Sequence, residues 1–396
     1  MRSHAEALGA SPTTVAAAYR LLRQRGIVVG DGRRGTRVSP TRAIADRSPM
    51  TIPRGVRDLA TGNPDPALLP SIQLPILESR LYGESAHVAR LIELASAQFA
   101  ADGIPTDAVT VVGGALDGVE RVLQAHLAPG DRVVVEDPGY TGVLDLLPAM
   151  GLVPVPVVVD HEGITAPELK RAIELGAKAV VLTPRAQNPT GAALTEGRAR
   201  TLRRLLGDVL VIEDDHAGAI SGAPALTVAT KSAHWAVVRS VSKSLGPDLR
   251  VAVLAGDPTT VARVEARQRV GAGWVSHLLQ HAVVKLWTDR SVQAQLRRAT
   301  ATYATRRTAL VQALRSRTIP ALGESGLNVW VPVSGEQEMV AGLLERGWAV
   351  TAGERFRVRS GPGIRVTTAT LEPEEAETLA ADVAAVLRPG RLTRLG

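Results

Sequence analysis

The sequence predicts an α/β protein with a large, mostly parallel β-sheet and a small basic module at its N-terminus. Apolar runs of Val, Ile and Leu without alternation indicate buried strands, and helix-like segments separate them. The charge is uneven: residues 1–57 hold 11 arginines against three acidic residues, a net of +8, while the whole 396-residue chain has a net of +7. A basic excess confined to one end is typical of a nucleic-acid-binding segment, although a solvated arginine-rich tail would give the same count.

Composition narrows the class of protein further. With 45% hydrophobic residues the chain is long enough to bury a large core, and it contains no cysteine. Disulfides, zinc–thiolate sites and a thiol nucleophile are therefore excluded, and we predict no metal site. Because no apolar run approaches the roughly 18 to 20 residues of a membrane helix, we expect a cytoplasmic protein that does not bind membranes.

Two helices and a hairpin are predicted within residues 1–38. Helical periodicity runs through "HAEALG" and through "TTVAAAYRLLRQRG", with Gly9 placed to end the first helix. Ser11 is a candidate N-cap and Pro12 a candidate first helical residue. The pieces "IVV" and "TRVS", joined by "GDGRRG", predict a β-hairpin wing with Arg33 and Arg34 at its turn.

This segment resembles the GntR-type winged helix-turn-helix from Ala5 to Val38, through "AEALGASPTTVAAAYRLLRQRG" and "GRRGTRV". In such modules the second helix enters the major groove of DNA. The family has a further helix and an "LPS-x-R" stretch before this point, so the resemblance implies a partial module at residues 1–38. By resemblance the DNA-facing residues are Ser11, Thr13 and Thr14 at the start of the recognition helix and Arg33, Arg34 and Gly35 on the wing.

A linker and a two-part domain are predicted after the module. Residues 39–57 contain prolines and scattered arginines without periodicity, which is typical of a linker. Residues 58–396 form the α/β domain, with a smaller α+β subdomain from about residue 320. The predicted buried strands are "AVTVVG", "DRVVVED", "VPVPVVV", "AKAVVLTP", "DVLVIED", "AVVRSVS" and "RVAVLAG".

Polar residues and glycines follow several of these strands. Gly114 lies between a strand and a helix, where free amides can bind phosphate. Tyr140 follows "EDPG", Asn188 belongs to "QNPTG", and His216 follows three acids in "VLVIEDDHAG". In an α/β sheet ligands bind at the carboxyl ends of the strands, but each motif taken alone is also compatible with an ordinary solvated turn.

Lys243 in "SVSKSLGPDLR" is the residue on which the chemistry depends. The chain has 41 arginines but only five lysines, and a buried primary amine can attack an aldehyde whereas a guanidinium cannot. Ser240 and Arg250 flank it with a hydroxyl and a permanent cation, which suits an aldehyde that also carries a phosphate. Pyridoxal 5'-phosphate has both groups, together with a pyridine nitrogen that needs an acid.

From about Asp58 onward the chain resembles fold type I aminotransferases, and with its N-terminal segment it resembles MocR-type regulators of the GntR superfamily. The blocks "GNPDPALLP", "GGALDG", "EDPGY", "QNPTG", "EDDHAG", "SVSKSLGPDLR" and "GIRVTTATL" occur in the family's order. The resemblance implies a homodimer and pyridoxal 5'-phosphate as cofactor. It implies cofactor contacts from Gly114, Ala115, Leu116, Tyr140, Asn188, Asp214, His216, Ser240, Lys243 and Arg250, and substrate contacts from Gly62, Asn188 and Arg365.

Each of these residues has an implied role. Lys243 bonds the aldehyde, Asp214 pairs with the pyridine nitrogen, and Arg365 binds a carboxylate. Asn188 contacts the phenolate oxygen, and Tyr140 lies against the ring. The phosphate contacts come from Ser240, Arg250 and the amides of Ala115 and Leu116.

Three positions leave alternatives or depart from the family. Arg355, Arg357 and Arg359 compete with Arg365 for the carboxylate, and Arg365 is preferred because it lies in an apolar strand pattern. His216 stands where many relatives have tyrosine. Leu116 replaces a polar residue, so only its backbone can donate to the phosphate.

Two functions fit these motifs. The first is a DNA-binding transcriptional regulator that responds to an amino acid or amine through its cofactor, with operator DNA as partner. The second is a working aminotransferase with a vestigial N-terminal segment, in which Lys243 moves the proton between substrate and cofactor. A cofactor-free structural relative is disfavoured because the motif set is intact.

Overall fold

The computed structural model describes residues 9–24, 28–30, 35–38, 51–74, 76 and 80–387. Helix α1 (Pro12–Gln24) begins at the predicted residue, and the Ser11 hydroxyl accepts a hydrogen bond from the Thr14 amide at 3.1 Å, which confirms the predicted N-cap. Strands β1 (Val28–Gly30) and β2 (Thr36–Val38) pair antiparallel as the predicted hairpin. The first predicted helix falls mainly outside the described residues, so the complete helix-turn-helix stays a prediction.

The described part of this module has a small core and a polar face. Val15 and Val28 are buried. Ser11, Thr13 and Thr14, the predicted DNA-facing residues of the helix, are exposed, and so is Gly35 on the hairpin. Arg33 and Arg34 lie outside the described residues.

An eight-stranded sheet forms the centre of the protein and contains all seven predicted strands. Its order is β4-β11-β10-β9-β8-β5-β6-β7. Strand β11 runs antiparallel to both neighbours, whereas β10, β9, β8, β5 and β6 are mutually parallel. The strands are β4 (Val109–Val112), β5 (Arg132–Asp137), β6 (Val153–Asp160), β7 (Gly163–Ile164), β8 (Ala177–Leu182), β9 (Leu210–Asp215), β10 (Trp235–Ser240) and β11 (Ala252–Gly256).

Both faces of this sheet are covered, which explains why its strands lack polar alternation. Val134 packs into the hydrophobic cluster on one face, and its neighbours Val133 and Val135 pack into the cluster on the other. The helices that follow α1 are α2 (Ala89–Ala101), α3 (Ala115–His126), α4 (Thr141–Ala149), α5 (Ala166–Glu174), α6 (Glu196–Leu206), α7 (Ser242–Leu245), α8 (Pro258–Val270), α9 (His277–Thr288), α10 (Arg290–Arg315), α11 (Glu336–Leu344) and α12 (Pro373–Leu387).

A second hydrophobic core lies in the C-terminal part of the chain and includes one residue from far upstream. Strands β12 (Asn328–Pro332), β15 (Gly363–Thr367) and β14 (Thr351–Ala352) form a three-stranded sheet in that order. Strand β3 (Arg57–Asp58) pairs with β13 (Trp348–Ala349), and the adjacent Leu59 is fully buried in this core. Residues 57–59, which directly follow residues 51–56, are therefore attached to the C-terminal part of the chain.

The sheet brings the predicted site residues to one edge. Strands β4, β5, β8, β9 and β10 all point the same way, because β4 and β10 are both antiparallel to β11. Their carboxyl ends lead to the segments that hold Gly114, Tyr140, Asn188, Asp214 and Lys243. Within the described ranges, no helix has both the length and the apolar character needed to cross a membrane.

Candidate functional site

A cavity of about 250 Å³ opens at this edge of the sheet. Ten of the twelve residues predicted to bind cofactor or substrate line it, and the other two, Gly114 and Arg365, contact residues that do. The lining residues that the sequence did not indicate are Ala186, Ala217, Ser242, Pro247, Leu327 and Asn328.

Lys243 presents an amine that is primed to react. It lies in the short helix α7, directly after β10, and its Nζ donates to the carbonyl oxygen of Gly62 at 2.7 Å. Burial, together with the charge of Arg365, lowers the pKa of Lys243 to about 8. A useful fraction of the amine is therefore neutral and nucleophilic near neutral pH.

Asp214 is a buried acid with a vacant oxygen. Its Oδ1 has no hydrogen-bond partner within the described part of the chain. Burial, with the negative charges of Asp215 and Glu136, raises the pKa of Asp214 to about 7. A cationic or N–H group of a ligand would relieve both penalties.

His216 follows Asp214 by two residues and is neutral at pH 7. Burial and the charge of Lys243 lower the pKa of His216 to about 4. A neutral imidazole can donate one hydrogen bond to a ligand oxygen, but it does not titrate between pH 6 and 8.

The phosphate-binding features meet at the start of α3. Gly114 has φ +111°, and a Cβ there would lie 2.8 Å from Arg250 Nη2. Arg250, itself in the left-handed conformation at φ +46°, donates to the Gly113 carbonyl at 3.2 Å. The first amides of α3, those of Ala115 and Leu116, have no intrahelical partner because they begin the helix. The cradle therefore combines free amides with a fixed cation.

Ser240 and Tyr140 complete the walls of the cavity. Ser240 ends β10, and its hydroxyl accepts a hydrogen bond from the Ser242 amide at 3.2 Å. Tyr140 precedes α4 as its N-cap residue. A Cβ at Gly142 would lie 2.4 Å from the Tyr140 ring, so a side chain at position 142 would displace that ring.

Arg365 is a buried cation beside the cavity. It is 6% exposed, lies in β15, and donates to Asn188 Oδ1 at 3.2 Å and to the Ala60 carbonyl. Burial and the charge of Arg355 lower the pKa of Arg365 to about 10, which leaves it charged at pH 7. Its Nε has no partner within the described residues, so the guanidinium has donor capacity for an added carboxylate.

The competing arginines are placed elsewhere. Arg357 donates to Glu336 at 2.9 Å, and Arg359 donates to the Pro156 carbonyl at 2.5 Å. Arg355 is exposed. Neither of these hydrogen bonds reaches a cavity-lining residue, whereas Arg365 donates to Asn188, which lines the cavity, and this favours Arg365 as the anion-binding residue.

Comparison with known proteins identifies the family. The class I and II aminotransferase family matches residues 77–383. The vitamin B6 salvage pathway transcriptional repressor PtsJ of Salmonella typhimurium is 40% identical over 397 residues, which cover 97% of this chain and 91% of that protein. The chain belongs to the MocR-type regulators. Its aminotransferase domain has pyridoxal 5'-phosphate as cofactor.

Two further comparisons agree with this family. The transcriptional regulator TauR of Rhodobacter capsulatus is 28% identical over 265 residues, covering 64% of this chain and 54% of that protein. The α-aminoadipate aminotransferase LysN of Thermus thermophilus, complexed with N-(5'-phosphopyridoxyl)-L-leucine, has a TM-score of 0.73 at 20% identity and covers 85% of this chain and 92% of its own. This last likeness establishes the fold.

The cavity of this MocR-type regulator fits the cofactor chemically. The vacant Oδ1 of Asp214 matches the pyridine nitrogen, the Lys243 amine matches the aldehyde, and the glycine cradle beside Arg250 matches the phosphate. These are independent features at one edge of one sheet, and the unpaired Asp214 oxygen would otherwise cost stability without compensation.

An ion network behind the cavity was missed by sequence reasoning. Asp215 accepts from Arg185 Nε at 2.8 Å and from Arg239 Nε at 2.7 Å, and Arg239 also donates to Asp102 at 2.6 Å. Burial alone would raise the pKa of Asp215, but the hydrogen bonds and charges of both arginines hold it below its usual value. The crowded acids of "EDD" predict a cationic partner, but the sequence does not reveal which arginine supplies it.

Proposed function

We propose that this regulator represses genes of vitamin B6 salvage and that occupancy of the cavity around Lys243 by pyridoxal 5'-phosphate sets its affinity for operator DNA. The observation on which this depends is one cavity that unites the reactive lysine, the vacant acid and the phosphate cradle, in a chain 40% identical to a repressor of that pathway. A cytoplasmic location follows, because the protein must reach DNA.

Each site residue has one task in this proposal. The Lys243 amine would bond the aldehyde carbon, and Asp214 would hold the proton on the pyridine nitrogen. Ser240, Arg250 and the amides of Ala115 and Leu116 bind the phosphate. When bound, the cofactor supplies an electron sink for bonds at an amino carbon.

The remaining predicted contacts orient the ring and admit a second ligand. Asn188 Oδ1 accepts from Arg365, which directs its Nδ2 toward donation to the phenolate oxygen, and neutral His216 is a second donor for it. Tyr140 covers a ring face. Arg365 with Gly62 would bind the carboxylate of an amino acid, so we propose an amino acid or amine as second effector.

Transaminase activity is the second candidate function, and the lowered pKa of Lys243 favours it. A lysine with a pKa of about 8 can accept and return a proton at the α-carbon of a bound amino acid. The two functions share every cofactor contact. Single-turnover conversion of an amino acid to its oxo acid, without any change in DNA affinity, would favour the enzyme.

We also propose that the regulator acts as a homodimer. Four apolar side chains that lie close together in the sequence are exposed, namely Leu74, Ile76, Leu81 and Tyr82. Ile72, next to them, lies 3.5 Å from the Cβ position of Gly246, which adjoins a cavity-lining residue. A second copy covering this apolar surface would therefore lie beside the site.

The test measures DNA affinity with and without the cofactor. Fluorescence anisotropy on DNA from upstream of the protein's own gene should give a Kd that changes about fivefold or more on saturation with pyridoxal 5'-phosphate. Lys243→Ala should abolish both this response and the borohydride-reducible covalent adduct. The exposed Lys170→Ala is the matched control and should retain both.

Three outcomes contradict the proposal or part of it. A wild-type Kd that is identical with and without cofactor would reject cofactor-dependent DNA binding. If DNA binding weakens with salt to the same extent for every DNA sequence, the basic N-terminal segment binds DNA only non-specifically, through charge. An unchanged adduct in Lys243→Ala would reject the lysine assignment.

A further inference from the structure

One turn of the backbone contacts both the reactive lysine and the anion-binding arginine. The Gly62 carbonyl accepts from Lys243 Nζ at 2.7 Å. Two residues earlier, the Ala60 carbonyl accepts from Arg365 Nη2 and from the Thr351 hydroxyl, the latter at 2.8 Å. The segment Asp58–Gly62, here called the reporter turn, is therefore hydrogen-bonded to both groups that a ligand would engage.

The side chain of Asp58 fixes the shape of the reporter turn. Its Oδ1 accepts from the amides of Ala60 at 2.9 Å and Thr61 at 3.1 Å, and its Oδ2 accepts from the Thr61 hydroxyl at 2.8 Å. Asp58 is exposed and does not line the cavity. The carboxylate therefore acts on the site through the two carbonyls that it positions, and its charge also favours the charged form of Arg365.

The reporter turn also leads directly to the chain that joins the N-terminal module. The Arg57 amide donates to Gly347 at 2.8 Å and the Leu59 amide to Ala349 at 2.9 Å. The Leu59 carbonyl accepts from Thr367, two residues beyond Arg365 on β15, at 2.8 Å. These hydrogen bonds join the turn to the C-terminal part, and the peptide chain itself runs from the turn through Arg57 into residues 51–56, so a displacement of the turn acts on the start of that segment.

Occupancy of the cavity changes the hydrogen bonds of the turn at both points. Condensation of the Lys243 ammonium with an aldehyde forms a C=N bond and releases the aldehyde oxygen as water with two of the nitrogen's three hydrogens. The nitrogen then keeps one hydrogen instead of three, so the hydrogen bond from Lys243 to the Gly62 carbonyl weakens or is lost. A carboxylate bound by Arg365 likewise competes with the Ala60 carbonyl for the same guanidinium.

We propose that Asp58 is a positioning residue that couples the cavity to the N-terminal module by holding the reporter turn in contact with Lys243 and Arg365. This inference rests on the proposed function and deepens it. The turn has two arrangements, one bonded to the free amine and one released from it, and ligand and DNA each favour one of them.

Substitution at Asp58 separates coupling from binding. Asp58→Ala removes all three acceptor contacts, whereas Asp58→Asn retains an Oδ1 that accepts from both amides. We expect Asp58→Ala to form the reducible adduct at Lys243 but to reduce the cofactor-dependent change in DNA Kd from about fivefold or more to near unity. Asp58→Asn should show the same cofactor-dependent change in DNA Kd as the wild type.

The matched control is Asp289→Ala. Asp289 makes the same kind of turn, with Oδ1 accepting from the Ser291 amide and hydroxyl at 2.7 Å, at the start of α10 and outside the cavity. Its replacement should leave the cofactor response as in wild type. Equal loss in Asp58→Ala and Asp289→Ala would mean that the effect is general destabilisation, and the inference would be wrong.

Hydrogen–deuterium exchange gives a readout that needs neither DNA nor turnover. Pyridoxal 5'-phosphate should change exchange at the amides of residues 59–61, and 4'-deoxypyridoxine 5'-phosphate, which lacks the aldehyde, should change it less. Unchanged exchange with the cofactor in wild type would overturn the inference even if Asp58→Ala failed to fold.

The two hypotheses fail differently. If the DNA affinity of the wild type is the same with and without the cofactor, the proposed function is wrong. If the wild type responds and Asp58→Ala, with its adduct intact, responds to the same extent, the proposed function stands and the role of Asp58 is refuted.

Discussion

At the scale of single residues, the site is a set of groups that the apoprotein holds at a cost. Asp214 and Arg365 are buried and Lys243 is half-buried, and burial is the largest cause of each pKa shift. The same burial makes the lysine nucleophilic and leaves the aspartate without a partner. Function and instability therefore have one physical origin at this site.

Asp214→Asn should stabilise the apoprotein in a pH-dependent way. The folded pKa of about 7 lies above the unfolded value of 3.8, so the penalty is complete above pH 7 and disappears as the pH falls toward 4. The variant should gain on the order of 3 kcal/mol at pH 8, seen as a higher Tm, and the gain should shrink at lower pH. Cofactor affinity should fall, because an amide cannot hold the pyridinium proton.

The exposed Asp107→Asn is the control for this measurement. It should change neither the Tm profile nor cofactor affinity. A Tm gain in Asp214→Asn that is the same at pH 5 and pH 8 would contradict the assigned cause, since a packing effect does not depend on protonation.

At the scale of elements, the sequence predicts the strands well because their signal is local. All seven predicted strands are present, and the residues that follow β4, β5, β8, β9 and β10 meet at one edge because these strands share a direction. Pairing between residues that are far apart in the sequence leaves no local pattern from which it could be predicted. The contact of Arg57–Asp58 with Trp348–Ala349 spans about 290 positions, and the choice of Arg185 and Arg239 as partners of Asp215 depends on tertiary geometry.

The strand-to-helix turn at Gly114 gives a prediction at this scale. Gly114→Ala places a Cβ 2.8 Å from Arg250 Nη2 at a φ of +111°, so Arg250 must move and the cradle distort. A strain of about 1 to 2 kcal/mol corresponds to roughly a tenfold loss of cofactor affinity. Titration of the cofactor absorbance would measure it.

Gly176→Ala is the matched control for the turn. Its φ is +86°, yet no atom lies within 4 Å of the added Cβ, and it is remote from the cavity-lining residues. It should lower the Tm without weakening cofactor binding. An equal loss of affinity in both variants would show that backbone strain in general, not the cradle, is responsible.

At the scale of the whole molecule, the distribution of charge and apolar surface indicates how the parts act together. The net charge of +8 in residues 1–57 lies at the end predicted to contact DNA. Exposed apolar side chains lie elsewhere, among them Leu74, Ile76, Leu81, Tyr82, Val270 and Leu278. The basic charge of residues 1–57 suits phosphates, and we propose that the exposed apolar side chains contact a second copy of the chain.

The dimer proposal predicts that charge on the apolar surface separates the subunits. Tyr82 is 93% exposed, with its ring 5.6 Å from that of Trp274, and Leu81 is 71% exposed. The double substitution Leu81→Asp and Tyr82→Asp leaves the buried core intact but places two carboxylates where an apolar interface would form. The mass measured by light scattering after gel filtration should shift from that of a dimer to that of a monomer, and DNA binding should weaken because two modules no longer act together.

Leu175→Asp is the control, since this exposed leucine lies outside the apolar surface, and the variant should remain dimeric. A wild-type protein that is monomeric at micromolar concentration, or a double variant that stays dimeric, would contradict the assignment of this surface to a second copy.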